Sequence, residues 1–456
     1  MKKHSQINQR LIKAAGRLVP FFIGLYCYCP AFIRQENHLY PFLDALYAAI
    51  RLYAGSTDGS VPVGGLLQLA RFWAIAATFS ILVSVLNKLN ELINWSRLFN
   101  PNATVVYGDS VYAAHALESL DRKCRIRGED ELIEGAARYL LMFSDDAENL
   151  AFYSKHYASL KDRNVYILLE NVARQNIENP LLTVFSLSEV CARQYWKDHP
   201  PLKSEKIAIV GFGSVGKNLL LHGLQMNLID PAQHFEYHIY GDGDAFRCEH
   251  TQLDKMEPDA VIFHDDGIRD YREMLNFDRI ILCGDGDGDN TALVSRLLAV
   301  APVCCPVHVY TSNEELITNL FGSDRLVCFG MAEQTARADM IFNEQTMEAA
   351  RGQHEFYRKQ YGGVPWEKLD AFKRYSNVSS SDYMHTVTRL IGQGVPAETI
   401  AELEHLRWNR YHYLHNWIYG PETDSARRIH HSLIPFAELS EAEKRKDIES
   451  IQSKLQ

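Results

Sequence analysis

Two long apolar runs open the chain. After about residue 100 the pattern changes to short apolar runs separated by amphipathic stretches. Leu18 to Ile33 carries no charge over 16 residues, which is short for a membrane span; Gly64 to Leu86 carries only Arg71 over 23 residues, enough to cross a bilayer. Between them, Tyr40 to Tyr53 has the length and aromatic content of a helix and leads into the small-residue loop AGSTDGS. Helix, loop, span is the layout of a re-entrant pore loop, and equally of an extracytoplasmic connector. Lys2, Lys3, Arg10, Lys13 and Arg17 precede the first run with no acid among them, whereas the loop between the runs mixes Arg34 and Arg51 with Glu36, Asp44 and Asp58. The positive-inside rule then places both ends of a two-span hairpin in the cytoplasm. The expected location is the plasma (inner) membrane, multi-pass. A signal peptide would share the basic start but not the second, longer run.

Among the short runs, Ile207 to Val210 has the continuous apolar character of a doubly covered parallel strand. Gly211, Gly213 and Gly216 follow in G-x-G-x-x-G spacing, with Ser214 opening a helical pattern, and a second strand, Tyr237 to Tyr240, ends at Asp242. The first glycine makes a tight turn, the second admits a pyrophosphate to the backbone, and the third lets the helix pack on the strand. The acid then receives a ribose. This order predicts a Rossmann unit whose nucleotide-facing residues are Gly211, Gly213, Ser214, Gly216, Asp242 and Asp285. The unit is duplicated. Ala103 to Leu120 parallels Lys206 to Leu224, and YLLMFSDDAEN (139–149) parallels RIILCGDGDGDN (279–290). Strand Val165 to Leu169 parallels Val307 to Tyr310, and Phe185-x-x-x-Glu189-x-x-Ala192-Arg193 parallels Phe329-x-x-x-Glu333-x-x-Ala336-Arg337. Only Gly108 survives of the first copy's glycines, so that copy reads as degenerate. Asp285, Asp287 and Asp289 fail as a calcium loop, because Asn290 and Arg296 stand where Gly and Glu are needed. They read as a strand-to-helix turn beside the crevice.

From Trp366 the chain becomes aromatic and histidine-rich. KRYSNVSSSDY (373–383) reads as a turn-rich stretch. Pro396 sits where a helix should begin, and that helix should run through AELEHLRWNRYHYLHNWIYG to a stop at Gly420–Pro421. Glu404, Trp408, Tyr411 and His415 fall on one of its faces. Ser440 and Glu443 form a capping box for a last helix. A flat polar ligand could be held here by Trp and Tyr faces, with Glu, His, Asn and Arg reading its edges. The candidate residues are Asn377, Tyr383, Glu404, His405, Arg407, Trp408, Tyr411, Trp417 and Tyr419, although core packing is the commoner fate of large aromatics such as Trp408 and Trp417. His412 and His415 lack a third ligand, so no metal is expected.

Composition narrows the classes. A net charge of −10 argues against nucleic acid as partner. Nine scattered cysteines with no C-x-x-C fit reduced thiols in a cytosolic compartment. No nucleophile elbow or acid–base constellation stands out, so no catalytic residue is assigned and no enzyme is expected.

Two family resemblances rest on these motifs. The tandem glycine-loop repeat resembles the regulator-of-potassium-conductance (RCK, TrkA-N type) domains found beneath two-span ion channels. That implies cytoplasmic modules assembling into a homo-oligomeric ring, a tetramer or similar. Glu404-His405-x-Arg407-Trp408, Trp417-Ile418-Tyr419-Gly420, His431-x-Leu433-x-Pro435-Phe436 and Leu439-Ser440-x-x-Glu443 resemble the RyR (ryanodine receptor repeat) domain, with Ile418 where a basic residue is common. The expected architecture is α/β: two spans in residues 1–100, tandem Rossmann-like doubly wound domains in 101–200 and 201–350, and a mainly helical RyR domain in 366–450. The resemblances imply a channel-like membrane effector of antiviral defence, gated by a small nucleotide-derived ligand. The alternative is a potassium-transport regulator sensing NAD or ATP, an adenine-nucleotide cofactor, through the second Rossmann copy.

Overall fold

The computed structural model describes residues 2–35, 38–172, 177, 179–300, 304–322 and 325–453. The chain divides into two compact units, Met1–Phe99 and Asn100–Gln456.

In the first unit, helices Lys2–Ile33 and Gly65–Leu98 flank a shorter helix, Pro41–Arg51. Segments Ala15–Ile33 and Gly65–Leu86 are long and apolar enough to cross a membrane. The second helix continues past that length, to about 51 Å at 1.5 Å per residue. Arg17 donates to Ser80 Oγ and Ser84 Oγ, both at 2.8 Å, while Tyr28 and Phe32 share a core with Leu67 and Ala70. The two long helices are therefore antiparallel, and both ends of the hairpin emerge on one side. Gly24 lets the short helix approach closely: a Cβ there would stand 2.7 Å from Leu52 Cδ1. Arg71, the lone charge of the second apolar run, donates to the Gly55 carbonyl at 2.7 Å. The predicted helix and small-residue loop between the runs are both present, as Pro41–Arg51 and the turn that follows Ala54. Phe22, Tyr26, Leu69, Phe72 and Phe79 point outward, as a lipid-facing surface requires.

The second unit holds two all-parallel sheets. Strands β1 (Thr104–Tyr107), β2 (Arg125–Arg127), β3 (Arg138–Leu141), β4 (Asn164–Leu168) and β5 (Leu182–Phe185) lie in the order 2-1-3-4-5. Strands β6 (Lys206–Val210), β7 (Glu236–Tyr240), β8 (Ala260–His264), β9 (Arg279–Leu282), β10 (Val307–Tyr310) and β11 (Leu326–Phe329) lie in the order 8-7-6-9-10-11. The second order is that of a dinucleotide-binding sheet, and the first is the same sheet without its third strand. The repeat extends to single residues. Buried Asn149 and Asn290 each pin the turn after their strand through its own backbone, Phe143 N to Asn149 Oδ1 at 3.0 Å and Gly284 N to Asn290 Oδ1 at 2.7 Å. Asp146 and Asp287 each accept from the backbone beyond the next strand, Glu170 N and Ser312 N.

The copies exchange their closing segments. Helix Leu187–Asp198 follows β5, yet its Cys191, Ala192, Tyr195 and Trp196 are buried in the core of the second sheet, where Trp196 Nε1 donates to Leu219 O at 2.8 Å. In return Ala336, Ala338, Ile341 and Phe342, which follow β11, pack with Val106, Leu140 and Phe185 of the first copy. A sequence boundary at residue 200 thus separates segments whose packing crosses it.

The C-terminal region is helical: Glu344–Tyr361, Ala371–Gly392, Ala397–Leu414 and Glu441–Ser453, with a two-strand ribbon of Ile418–Tyr419 and Ile429–His430. Two sequence expectations are corrected. The hydroxyl-rich stretch at 373–383 is helix, because Asp370 caps the Lys373 N–H and the hydroxyls are spent on interhelix bonds such as Ser379 Oγ to Gln225 Oε1, 2.8 Å. The next helix ends at Leu414, well before Gly420. Asn416 takes a left-handed φ of +59°, and Trp417 N reaches back to His412 O, a Schellman stop with Asn in place of Gly.

This region is seated on the far end of helix Ser214–Met226, the helix that the glycine loop opens. Arg410 donates to Leu224 O (2.9 Å), Thr386 to Met226 O (3.2 Å) and Tyr383 to Leu228 O (2.5 Å). Arg410 also pairs with Asp259 at 2.6 Å, both side chains fully buried. Replacing Arg410 by Met strands the Asp259 charge without its partner. The expected cost is about 3–5 kcal/mol, read from denaturant unfolding, with Asp259→Asn/Arg410→Met recovering part of it.

Candidate functional site

The glycine loop has the geometry its spacing predicts. Gly211 sits at φ +96°, where a Cβ would be 2.5 Å from Cys283 O, and a Cβ on Gly216 would collide with Gly211 O. The helix N-terminus at Gly213–Ser214 has no side-chain cap. In the first copy Ser110 Oγ accepts from Ala113 N at 3.1 Å and closes the matching position, the physical form of its degeneracy. Charge works against a pyrophosphate at the second loop, however. Asp285 Oδ1 lies 3.1 Å from where a Gly213 Cβ would stand. Asp242, exposed at the end of β7, clusters with Asp244 and Asp265, the last two already bridged by Arg247. The backbone thus fits a dinucleotide, while Asp285 beside the loop opposes its pyrophosphate.

The residues singled out in the C-terminal region scatter over several roles. Tyr383 is buried in the seat just described. Arg407, also buried, is held by Glu404 at 2.8 and 3.0 Å and donates to Ser379 Oγ at 2.9 Å, while Ser380 Oγ donates to Glu404 Oε1. These polar groups tie helices together. His405 bonds Ile434 O through Nε2 at 2.9 Å. Trp408 lies among the rings of His405, His412 and His430, and buried Trp417 stacks on Phe372 at 5.0 Å. Asn377 donates to Lys373 O along its own helix, and Tyr419 stands exposed on the ribbon.

Tyr411 alone of the set lines a cavity of about 420 Å³, within the range of small-molecule sites. Three parts of the unit meet there: the carboxyl edge of β5 with the exchanged helix after it, the glycine-loop helix, and the C-terminal module. Arg193 of the exchanged helix spans Glu189 (3.0 Å) and Asp382 (2.9 Å). His222, 12% exposed, approaches Glu189 at 3.7 Å through Nε2, and its buried Nδ1 has no hydrogen-bond partner among the described residues. Arg428 stands at the rim with φ +57° and donates to His415 O at 2.9 Å. Glu189 and Arg193 belong to the repeated closing motif, so the sequence did carry a signal for them. It carried none for His222 or Arg428.

Comparison with known proteins is consistent with the C-terminal reading. Residues 392–456 match the family model of the RyR domain. No curated protein matches the chain. Among solved structures, a dipicolinate synthase subunit from Bacillus halodurans is similar at 9% identity over 53% of this chain and 96% of that one, with a TM-score of 0.24. The Rossmann-like assignment rests on strand order and the glycine loop. Tandem Rossmann-like domains carrying a RyR domain are compatible with a nucleotide-sensing regulatory protein.

Burial of imidazoles sets the pH behaviour. Burial pushes His412 and His308 down to about 3. As pH falls from about 6.5 toward 3 the unfolded chain takes up protons that these folded side chains refuse. Stability is therefore lost on acidification, by up to about 1.4 kcal/mol per pH unit for each. Asp447, pushed up to about 7 by burial and by Glu404 and Glu443, acts with the opposite sign: its contribution is present at low pH and lost as pH rises through 7. Denaturant midpoints should fall between pH 6.5 and 4.5, and His308→Gln should flatten that dependence.

Proposed function

We propose that this protein is a ligand-gated, channel-like membrane effector. A cytosolic nucleotide-derived signal binds at the RyR domain, and the tandem Rossmann-like domains, acting as RCK-type modules in a homo-oligomeric ring, relay it to the N-terminal hairpin. Antiviral defence is the setting the RyR resemblance favours, and the protein has no catalytic role in it. The observation that carries this reading is the seat of the RyR region on the glycine-loop helix. Arg410, Thr386 and Tyr383 bind the helix's carbonyl end directly, so displacement of one body moves the other. Two further features support it. The apolar hairpin presents both ends on one side, and only Phe99–Ala103 separate its last helix from β1. A ligand shifts such an equilibrium only by its differential affinity for the two states, so a signal read where bodies meet is well placed to do so.

A second reading, a potassium-transport regulator sensing NAD or ATP, has the uncapped glycine loop in its favour and Asp285 against it. Ion efflux from liposomes containing the full chain separates the two. Efflux should rise at least tenfold with a nucleotide signal and stay low with NAD or ATP. Efflux that follows NAD or ATP and is abolished by Gly213→Asp supports the second reading, and a chain that remains in the aqueous phase without detergent defeats both.

A further inference from the structure

We infer that the cavity shared by the exchanged helix, the glycine-loop helix and the RyR region takes the nucleobase end of a nucleotide, with its phosphate held at the mouth by Arg428. This rests on the nucleotide-sensing reading and names its site.

The lining fixes the chemistry. Four acids, Glu170, Glu189, Glu249 and Asp382, face two cations, Arg193 and Arg428. Arg193 is already shared by Glu189 and Asp382, so the interior offers acceptors and no spare cation. A phosphate inside would meet carboxylates; an exocyclic amine or ring N–H would meet acceptors. The imidazoles add to this. His250 donates through Nδ1 to Leu414 O at 2.6 Å, and burial lowers its pKa, so the ring is neutral and its Nε2 is an acceptor. His222 adds a second imidazole to the same wall, its Nε2 toward Glu189 and its buried Nδ1 without a partner among the described residues. The remaining walls, Leu221, Val378, Tyr375 and Tyr411, give a flat ring apolar and aromatic surface. Only at the rim does a cation stand outside a carboxylate pair. Arg428 is held by a backbone carbonyl, on a residue in a left-handed conformation that a non-glycine side chain rarely adopts. The ligand is thus oriented, base inward and anion outward. Because it touches three bodies at once, its occupancy reports their mutual arrangement.

The test uses the full chain in detergent micelles and calorimetric titration with AMP, GMP, CMP and UMP, with ribose 5-phosphate as the baseless control. At least one monophosphate should bind and ribose 5-phosphate should not. Leu221→Trp, which fills the cavity, and Glu189→Gln, which keeps its shape, should each weaken binding at least tenfold while the thermal transition stays cooperative. Arg428→Ala should weaken the monophosphate but not the corresponding nucleoside. Binding that survives Leu221→Trp and is lost in Gly213→Asp puts the site in the glycine crevice and overturns the inference, as does failure of all four monophosphates to bind. Nucleotide-stimulated efflux that Leu221→Trp leaves intact overturns this site but not the proposed function. Cavity-dependent binding without any effect on efflux does the reverse.

Discussion

A helix buried at its C-terminal end leaves carbonyl groups that something must satisfy. In helix Ser214–Met226 that requirement shapes the cytoplasmic unit. Its N-terminus is committed to the glycine turn and its flank to the exchanged helix, through the Trp196 bond to Leu219 O. Only the far end remains, and Arg410, Thr386 and Tyr383 take Leu224, Met226 and Leu228. A guanidinium without its counter-charge could not be buried there, which is why Asp259 is buried with it. Asp259 in turn accepts from Phe235 N at 2.8 Å, just ahead of β7. The RyR region is therefore bonded into the second Rossmann copy rather than appended to it.

The exchange of closing segments has a comparable consequence. A duplicated domain whose halves each completed themselves would be two beads with a soft joint. Here each sheet is finished by the other copy's helix, and the pairing is reciprocal: Glu333 faces His115 at 3.4 Å, as Glu189 faces His222 at 3.7 Å. The symmetry then breaks at the cavity. Glu189 and Arg193 look onto a cavity closed by the RyR region, whereas Arg337 turns back on Asp339. One set of repeated residues has become a wall of a cavity and the other an ordinary surface pair.

Much of this was legible in the chain. Glycine spacing and apolar runs gave the second sheet, and the repeat gave the first, because both depend on local period and turn chemistry. The exchange was not legible, since Phe185 to Arg193 reads the same whichever sheet its helix covers. Nor was the helical state of 373–383. Serine and asparagine favour turns when their hydroxyl and amide groups have only the local backbone to bond; in the folded chain Ser379 and Ser380 bond Gln225 and Glu404, partners distant in sequence. The helix stop was misplaced because Asn416 does the work usually left to glycine. The candidate binding residues share chemical type rather than a surface, for they fall on helices Ala371–Gly392 and Ala397–Leu414 and at the ribbon beyond. Chemical type alone does not distinguish a guanidinium that ties helices, as Arg407 does, from one that faces a cavity, as Arg193 does.

That distinction bears on how a signal would travel. A ligand held wholly within one module changes that module's stability and little else. A ligand walled by the exchanged helix, the glycine-loop helix and the RyR region stabilises whichever arrangement of the three gives it most contact, and the free energy it supplies to the shift equals its differential affinity. Arg410 and Trp196 bond two of those bodies directly to the glycine-loop helix, so a shift of either would be felt there first. From the first sheet the chain runs back through Phe99–Ala103 to helix Gly65–Leu98.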